Sequence, residues 1–222
     1  MPGGDGPQRQ EVVDSPAGLN GLVFATDDAD RLHADLSSRG LSVLPPLAFS
    51  RPVTLDGKEQ LAKFRTVRMA AGALQGGRVY FCEHQTPELV WQPQWQRHDN
   101  GVVAVQGFSI VVPDPQREAD IYAELLSTAA RHLSAEESAM VLGQFTLHLL
   151  TADCYHSRYG RFAFDAGDRT AYMGALCLRT TSLARARDCL AQVLQATELE
   201  QVATHSRVTA SAAFGAVIDF VE

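Results

Sequence analysis

The chain has 222 residues, 45% of them hydrophobic and 20% charged, with 26 acidic against 19 basic side chains and a formal net charge of −7. It is long enough to bury a core without disulfide or metal staples. The acidic balance, with no block of five or six basic residues, argues against a nucleic-acid partner, and neither a membrane span nor the charged-then-apolar order of a signal peptide is present, so the expected location is the cytoplasm.

Residues 1–17 are rich in Pro, Gly, Gln and Asp and are expected to form a disordered tail. A first unit, residues 18–100, opens with the strand-like LNGLVFAT and continues into a helix with Ala29, Leu32 and Leu36 on one face. Thr26, Asp27 or Asp28 can cap that helix and Gly40 can close it. Three extended stretches follow, ending in GGRVYFCEH, and the segment TPELVWQPQWQRHDNG reads as an ordered linker. A second unit, residues 101–170, repeats the opening at VAVQGFSIVV, with Asp114 as cap, Pro115 in the first helical turn and GQFTLHLLT as a later strand. A third, residues 171–222, opens at YMGALCLRT with Ser182 as cap and closes with two strands around Gly215, which reads as a shorter βαββ unit. Three strand-cap-helix openings in one chain indicate duplicated modules.

Alternation along a strand puts Val79, Phe81 and Glu83 on one face and Tyr80, Cys82 and His84 on the other. Glu83 and His84 therefore cannot both enter one cavity unless the strand has ended. A Glu among aromatic rings can carry a raised pKa and move protons, and a His is already poised near neutrality; the plainer reading is a strand end facing solvent. Arg65 on the neighbouring stretch would suit a carboxylate or enolate by bidentate pairing. His148 shares a face with Gln144 and Thr146, lining a cavity or simply exposed. Asp153, Cys154 and His156 fall in an expected loop, and Cys82, Cys154, Cys177 and Cys189 have no C-x-x-C spacing, which reads as free thiols.

The openings GLNGLVFATDDADRLHADL and GFSIVVPDPQREADIY, the stretch FCEHQTPELVWQPQWQRHDNG and the closing FGAVIDFV resemble the vicinal oxygen chelate superfamily, and within it the glyoxalase-like domain proteins. The resemblance implies an α+β fold in which βαβββ modules form curled, barrel-like mixed sheets around a cavity. It also implies a divalent metal held by a His at the start of a module and a Glu at its end. Here Gly21, Gly107 and Gly174 occupy the expected His positions, while Glu83 and Asp219 stand where the carboxylates belong. Glycine cannot ligate, so no metal and no other cofactor is expected, and strand glycines suggest either a bend or a close ligand approach.

Two functions follow. One is metal-independent acid/base chemistry on a small oxygenated organic molecule, with Glu83 or His84 as the acid/base and Glu83, not His84, expected to face the cavity. Arg65, Tyr80, His148, Gly21, Gly107 and Asp219 would then contact the substrate. The other is a non-catalytic protein that binds or sequesters such a ligand. An odd number of modules leaves an edge that a second copy could cover, so a homodimer is expected.

Overall fold

The computed structural model describes residues 13–209 and 211–222, and within them each predicted opening develops into a full βαβββ unit. The first consists of β1 (Gly21–Ala25), α1 (Ala29–Ser38), β2 (Val43–Leu55), β3 (Lys58–Met69) and β4 (Arg78–His84). The second runs through β5 (Val102–Val111), α2 (Pro115–Leu126), β6 (Arg131–His132), β7 (Glu137–Leu142) and β8 (Phe145–Leu150). A helix α3 (Ala152–Tyr159) leads to the third: β9 (Tyr172–Thr180), α4 (Leu183–Ala191), β10 (Leu199–Gln201), β11 (His205–Val208) and β12 (Val217–Val221).

The caps sit where local chemistry puts them. Asp28, Asp114 and Ser182 accept from the backbone N–H groups of Arg31, Arg117 and Arg185 at 3.0, 3.0 and 3.2 Å, each bond satisfying an otherwise orphaned donor and contributing about 1 kcal/mol. Two expectations change. The third unit carries a further strand, β10, whose three residues are too few to show a period. The segment around Asp153, Cys154 and His156 is helix α3, because Thr151 accepts from Cys154 N–H at 3.2 Å and Tyr155 and Tyr159 share its buried face. The expected tail lies outside the described residues over 1–12; nearer β1, Asn20 donates to the carbonyls of Pro16 and Gly18.

In every unit the first and last strands are parallel neighbours. Unit one forms a four-stranded sheet in the order β1-β4-β3-β2. Units two and three are fused through antiparallel β5 and β9 into an eight-stranded sheet, β10-β11-β12-β9-β5-β8-β7-β6. Both sheets are mixed and curled without closing into a barrel.

One apolar core joins the helix-covered faces of the two sheets: Leu22, Val67 and Phe81 from the first, Ile110, Leu147 and Leu149 from the second, with Leu36 of α1 and Tyr122 of α2 between. Arg39 of α1 reaches the Glu124 carbonyl and Ser127 at the end of α2. The loop before β4 docks on the second unit, where the buried Glu118 accepts from Gln75 N–H at 2.7 Å. Burial pushes the Glu118 carboxyl above its ordinary pKa. Among the described residues no helix is long and apolar enough to cross a membrane.

Candidate functional site

With α1 on one side of the first sheet, strand alternation decides what the other side presents. Register pairs Arg65 with Glu83, Thr66 with Cys82 and Phe64 with His84, and paired residues share a face. Val67, Val79 and Phe81 pack toward α1. Glu83 continues that face, and its Oε2 accepts from Ala29 N–H at 2.9 Å, at the positive end of the helix. Glu83 thus faces α1 and not the open side, the reverse of the expected orientation. Arg65 lies there too, held by Asp30 in a bidentate pair at 2.6 and 2.7 Å, so its fork is already filled.

The open face carries Gly21 and Val23 from β1 and Tyr80, Cys82 and His84 from β4. His84 is ringed by aromatics: Phe64 meets it edge-on at 5.0 Å, Trp91 from the linker stacks on it at 5.4 Å, and Phe49 stacks on Phe64 at 5.2 Å. Trp91 still exposes 60% of its surface, so the stack ends in a free aromatic plane. Burial, then the neighbouring Glu83 charge, raises the Cys82 thiol and keeps it protonated.

On the eight-stranded sheet, α2 covers the face of Ile110 and Leu149, and α3 fills the other, concave face. Tyr155, Tyr159 and Phe162 pack there against Val111, Leu150, Ala175 and Val217. The Tyr155 hydroxyl donates to the Gly174 carbonyl at 2.9 Å, and a Cβ at Gly174 would lie 2.6 Å from the Tyr155 ring. The sheet therefore forms a cup whose floor is side chain, not solvent.

Polar groups line the mouth of that cup. His148 Nδ1 lies 3.0 Å from Glu137 Oε1, and the other Glu137 oxygen accepts from Arg158 at 2.6 Å. Burial lowers the His148 pKa more than Glu137 raises it, so the ring is neutral at pH 7. Burial would lift Glu137, yet Arg158 and His148 outweigh it and hold the carboxyl below its usual range. Across the cup Arg207 grips Asp219 at 2.6 and 3.0 Å and lies over the Tyr159 ring at 4.8 Å. Tyr159 is bonded to Ser109 at 3.3 Å. Burial, aided by Asp219, pushes Cys177 up to about 11.

The sequence-derived candidates thus fall into three places: Glu83 and Arg65 under α1; Gly21, Tyr80 and His84 on the open face; Gly107, His148 and Asp219 in the filled cup. Sequence reasoning missed Glu137, Arg158, Tyr155, Tyr159 and Arg207, and only the i, i+4 tyrosine pair behind a Thr cap carried a local signal. Two open hollows, of about 400 Å³ beside Leu194 and Leu199 and about 470 Å³ beside His98 and Asn100, include none of the candidates.

A divalent ion of the kind the resemblance implies does not fit these residues. Gly174 is packed against a phenol ring, Asp219 is committed to Arg207, Glu83 faces the wrong side, and among the described residues no three His, Cys, Asp or Glu converge as ligands.

Comparison with known proteins adds the following. A sequence family described as a glyoxalase-like domain matches residues 2–126. No curated protein matches the chain. A hypothetical protein from Staphylococcus aureus superposes with a TM-score of 0.59 at 8% identity, over 88% of this chain and 63% of that one. A xylose isomerase-like TIM barrel/4-hydroxyphenylpyruvate dioxygenase fusion protein gives 0.50 at 13%, over 92% of this chain and 38% of that one. Methylmalonyl-CoA epimerase from Mycobacterium tuberculosis gives 0.41 at 14%, over 59% and 95%. The chain spans less than two thirds of the first two, and at their identities of 8% and 13% the likeness to them is one of fold alone.

Proposed function

Because the chain belongs to the glyoxalase-like domain family, we propose that it binds a small, flat, oxygen-bearing organic molecule on the open face of the first sheet and holds it without transforming it. The observation that carries this reading is His84 set between Phe64 and the exposed plane of Trp91. Aromatic planes supply contact area at low entropic cost, and one or two polar groups orient the ligand. Acid/base catalysis wants a second titrating group beside the imidazole. The expected carboxylate, Glu83, is committed to the α1 terminus on the far side of the sheet.

The test is capture from a metabolite extract by the purified protein, read by mass spectrometry. Trp91→Ala and His84→Ala are each expected to weaken retention of the captured compound about tenfold, the equivalent of about 1.4 kcal/mol. Retention unchanged in both variants would place the ligand elsewhere.

One observation favours acid/base chemistry instead, at the mouth of the second cup. Neutral His148 with its Nδ1–H directed at Glu137 leaves Nε2 free to accept a proton, and Arg158 fixes the carboxylate. On this reading the captured compound is converted, and His148→Gln lowers turnover by about 10²–10⁴-fold while leaving retention at Trp91 intact. Absence of conversion, or conversion indifferent to the substitution, excludes His148 as the base.

A further inference from the structure

Charge on the first sheet is sorted by face. Strand alternation puts Glu59, Lys63, Arg65 and Glu83 on the α1 side, where Asp30 of α1 meets Arg65. The open side carries Arg51, Lys58, Arg68 and Arg78, and the four strands add no Asp or Glu to it. A chain with a formal net charge of −7 thus keeps one strand surface free of acids.

These cations differ in what they have left to offer. Arg78 donates through Nε to the Asn20 carbonyl at 3.4 Å, Arg68 is already partnered, and Lys58 sits at the turn of the β2–β3 hairpin. Arg51 follows Phe49 by two residues on β2, on the same face, and its guanidinium lies over the Phe49 ring at 5.2 Å. Stacking uses the face of a guanidinium and leaves its in-plane N–H fork free. Among the described residues no carboxylate occupies that fork. Phe49, Phe64 and His84 form one register row across β2, β3 and β4, about 10 Å wide at two strand spacings. Trp91 closes one end of the row, and Arg51 stands at the other.

We infer that the ligand of this face is a planar conjugated carboxylate, its rings lying along the aromatic row and its carboxylate paired bidentate with Arg51. The inference rests on the ligand reading of that face and deepens it by fixing the charge of the ligand. By sequence the anion fell to Arg65, whose fork Asp30 fills. Arg51, one strand over and on the opposite face, keeps the same chemistry open. A neutral molecule with the same rings retains the stacking and loses the ion pair, so the face selects the acid.

Titration calorimetry of the full chain with naphthoate and naphthamide, matched in rings and differing in charge, tests this. The acid is expected to bind tighter than the amide by a factor of about ten or more, the worth of a charge-assisted pair. Arg51→Gln brings the acid down to the affinity of the amide. It leaves the amide unchanged, which also reports that the face is still folded. Lys63→Gln, which removes a cation from the α1 side of β3, changes neither. Equal binding of acid and amide, or a preference for the acid that survives Arg51→Gln, overturns the inference. If the two bind alike and Trp91→Ala weakens both, the charge assignment fails and the ligand reading survives. If the acid depends on Arg51 while neither probe responds to Trp91→Ala or His84→Ala, the aromatic ligand reading fails and the Arg51 pairing survives. Binding of neither probe overturns both.

Discussion

Replacing Tyr155 with alanine is expected to lower the unfolding free energy by about 3–5 kcal/mol, the range for truncating a buried aromatic side chain, measured from urea midpoints at constant slope. The residue has no exposed surface. Its ring meets Tyr159 at 5.0 Å and the edge of Tyr172 at 5.6 Å. Its hydroxyl donates to Gly174 and accepts from Phe164 N–H at 3.1 Å, tying α3, β9 and the following loop together. Burial pushes the phenol well above its ordinary pKa, so it stays a donor throughout the accessible range. A loss no larger than about 1 kcal/mol, the worth of one hydrogen bond, would mean that α3 lies loosely on the cup and that the space beneath it is open to a ligand.

Gly174→Ala is the second large effect. The new methyl would sit 2.6 Å from a Tyr155 ring carbon, so α3 has to shift, and overpacking of this kind costs about 1–3 kcal/mol. In a Tyr155→Ala background the same substitution should cost close to nothing, giving a coupling energy of about 0.5–3 kcal/mol in the double-mutant cycle. Additive costs would show that Gly174 is required for a reason other than the ring. The same substitution at Gly21, where only the Arg78 carbonyl lies as near as 3.8 Å, is expected to be almost neutral. The strand glycines look alike in sequence; their neighbours give them different work.

That difference marks how far sequence reading reaches in this chain. Caps, helices and the repeated openings were legible because they depend on residues within a few positions of one another, and the resemblance to glyoxalase-like modules supplied the fold and its mixed sheets. Alternation also assigned correctly that Glu83 and His84 part company. It could not say which face α1 would cover, and that choice decides which of the two the open face presents. The apolar run Val79 and Phe81 was the available signal: it marks the side against the core, so the residue that continues it belongs under the helix. Glu137 was beyond reach for another reason. Nothing in the spacing of Glu137 and His148 says that β7 and β8 lie side by side and bring carboxylate and imidazole together. α3 hid because the polar Asp153, Cys154 and His156 read as loop, while its structural signal lies in the tyrosines between and after them.

β5 is bonded on both sides, to β8 and to β9, and both partners are made after it. A ribosome therefore exposes ten residues rich in valine and isoleucine while their neighbours are still unsynthesised. The glyoxalase-like match ends at residue 126, the last of α2, so a chain cut at that boundary would keep β5 and lose both strands that satisfy it. Such a fragment would hold its most aggregation-prone segment permanently in the state that the nascent chain passes through once. The shortest excised piece that closes the hydrogen bonds of β5 on both flanks runs to β9, and the one that also completes the third unit runs to β12.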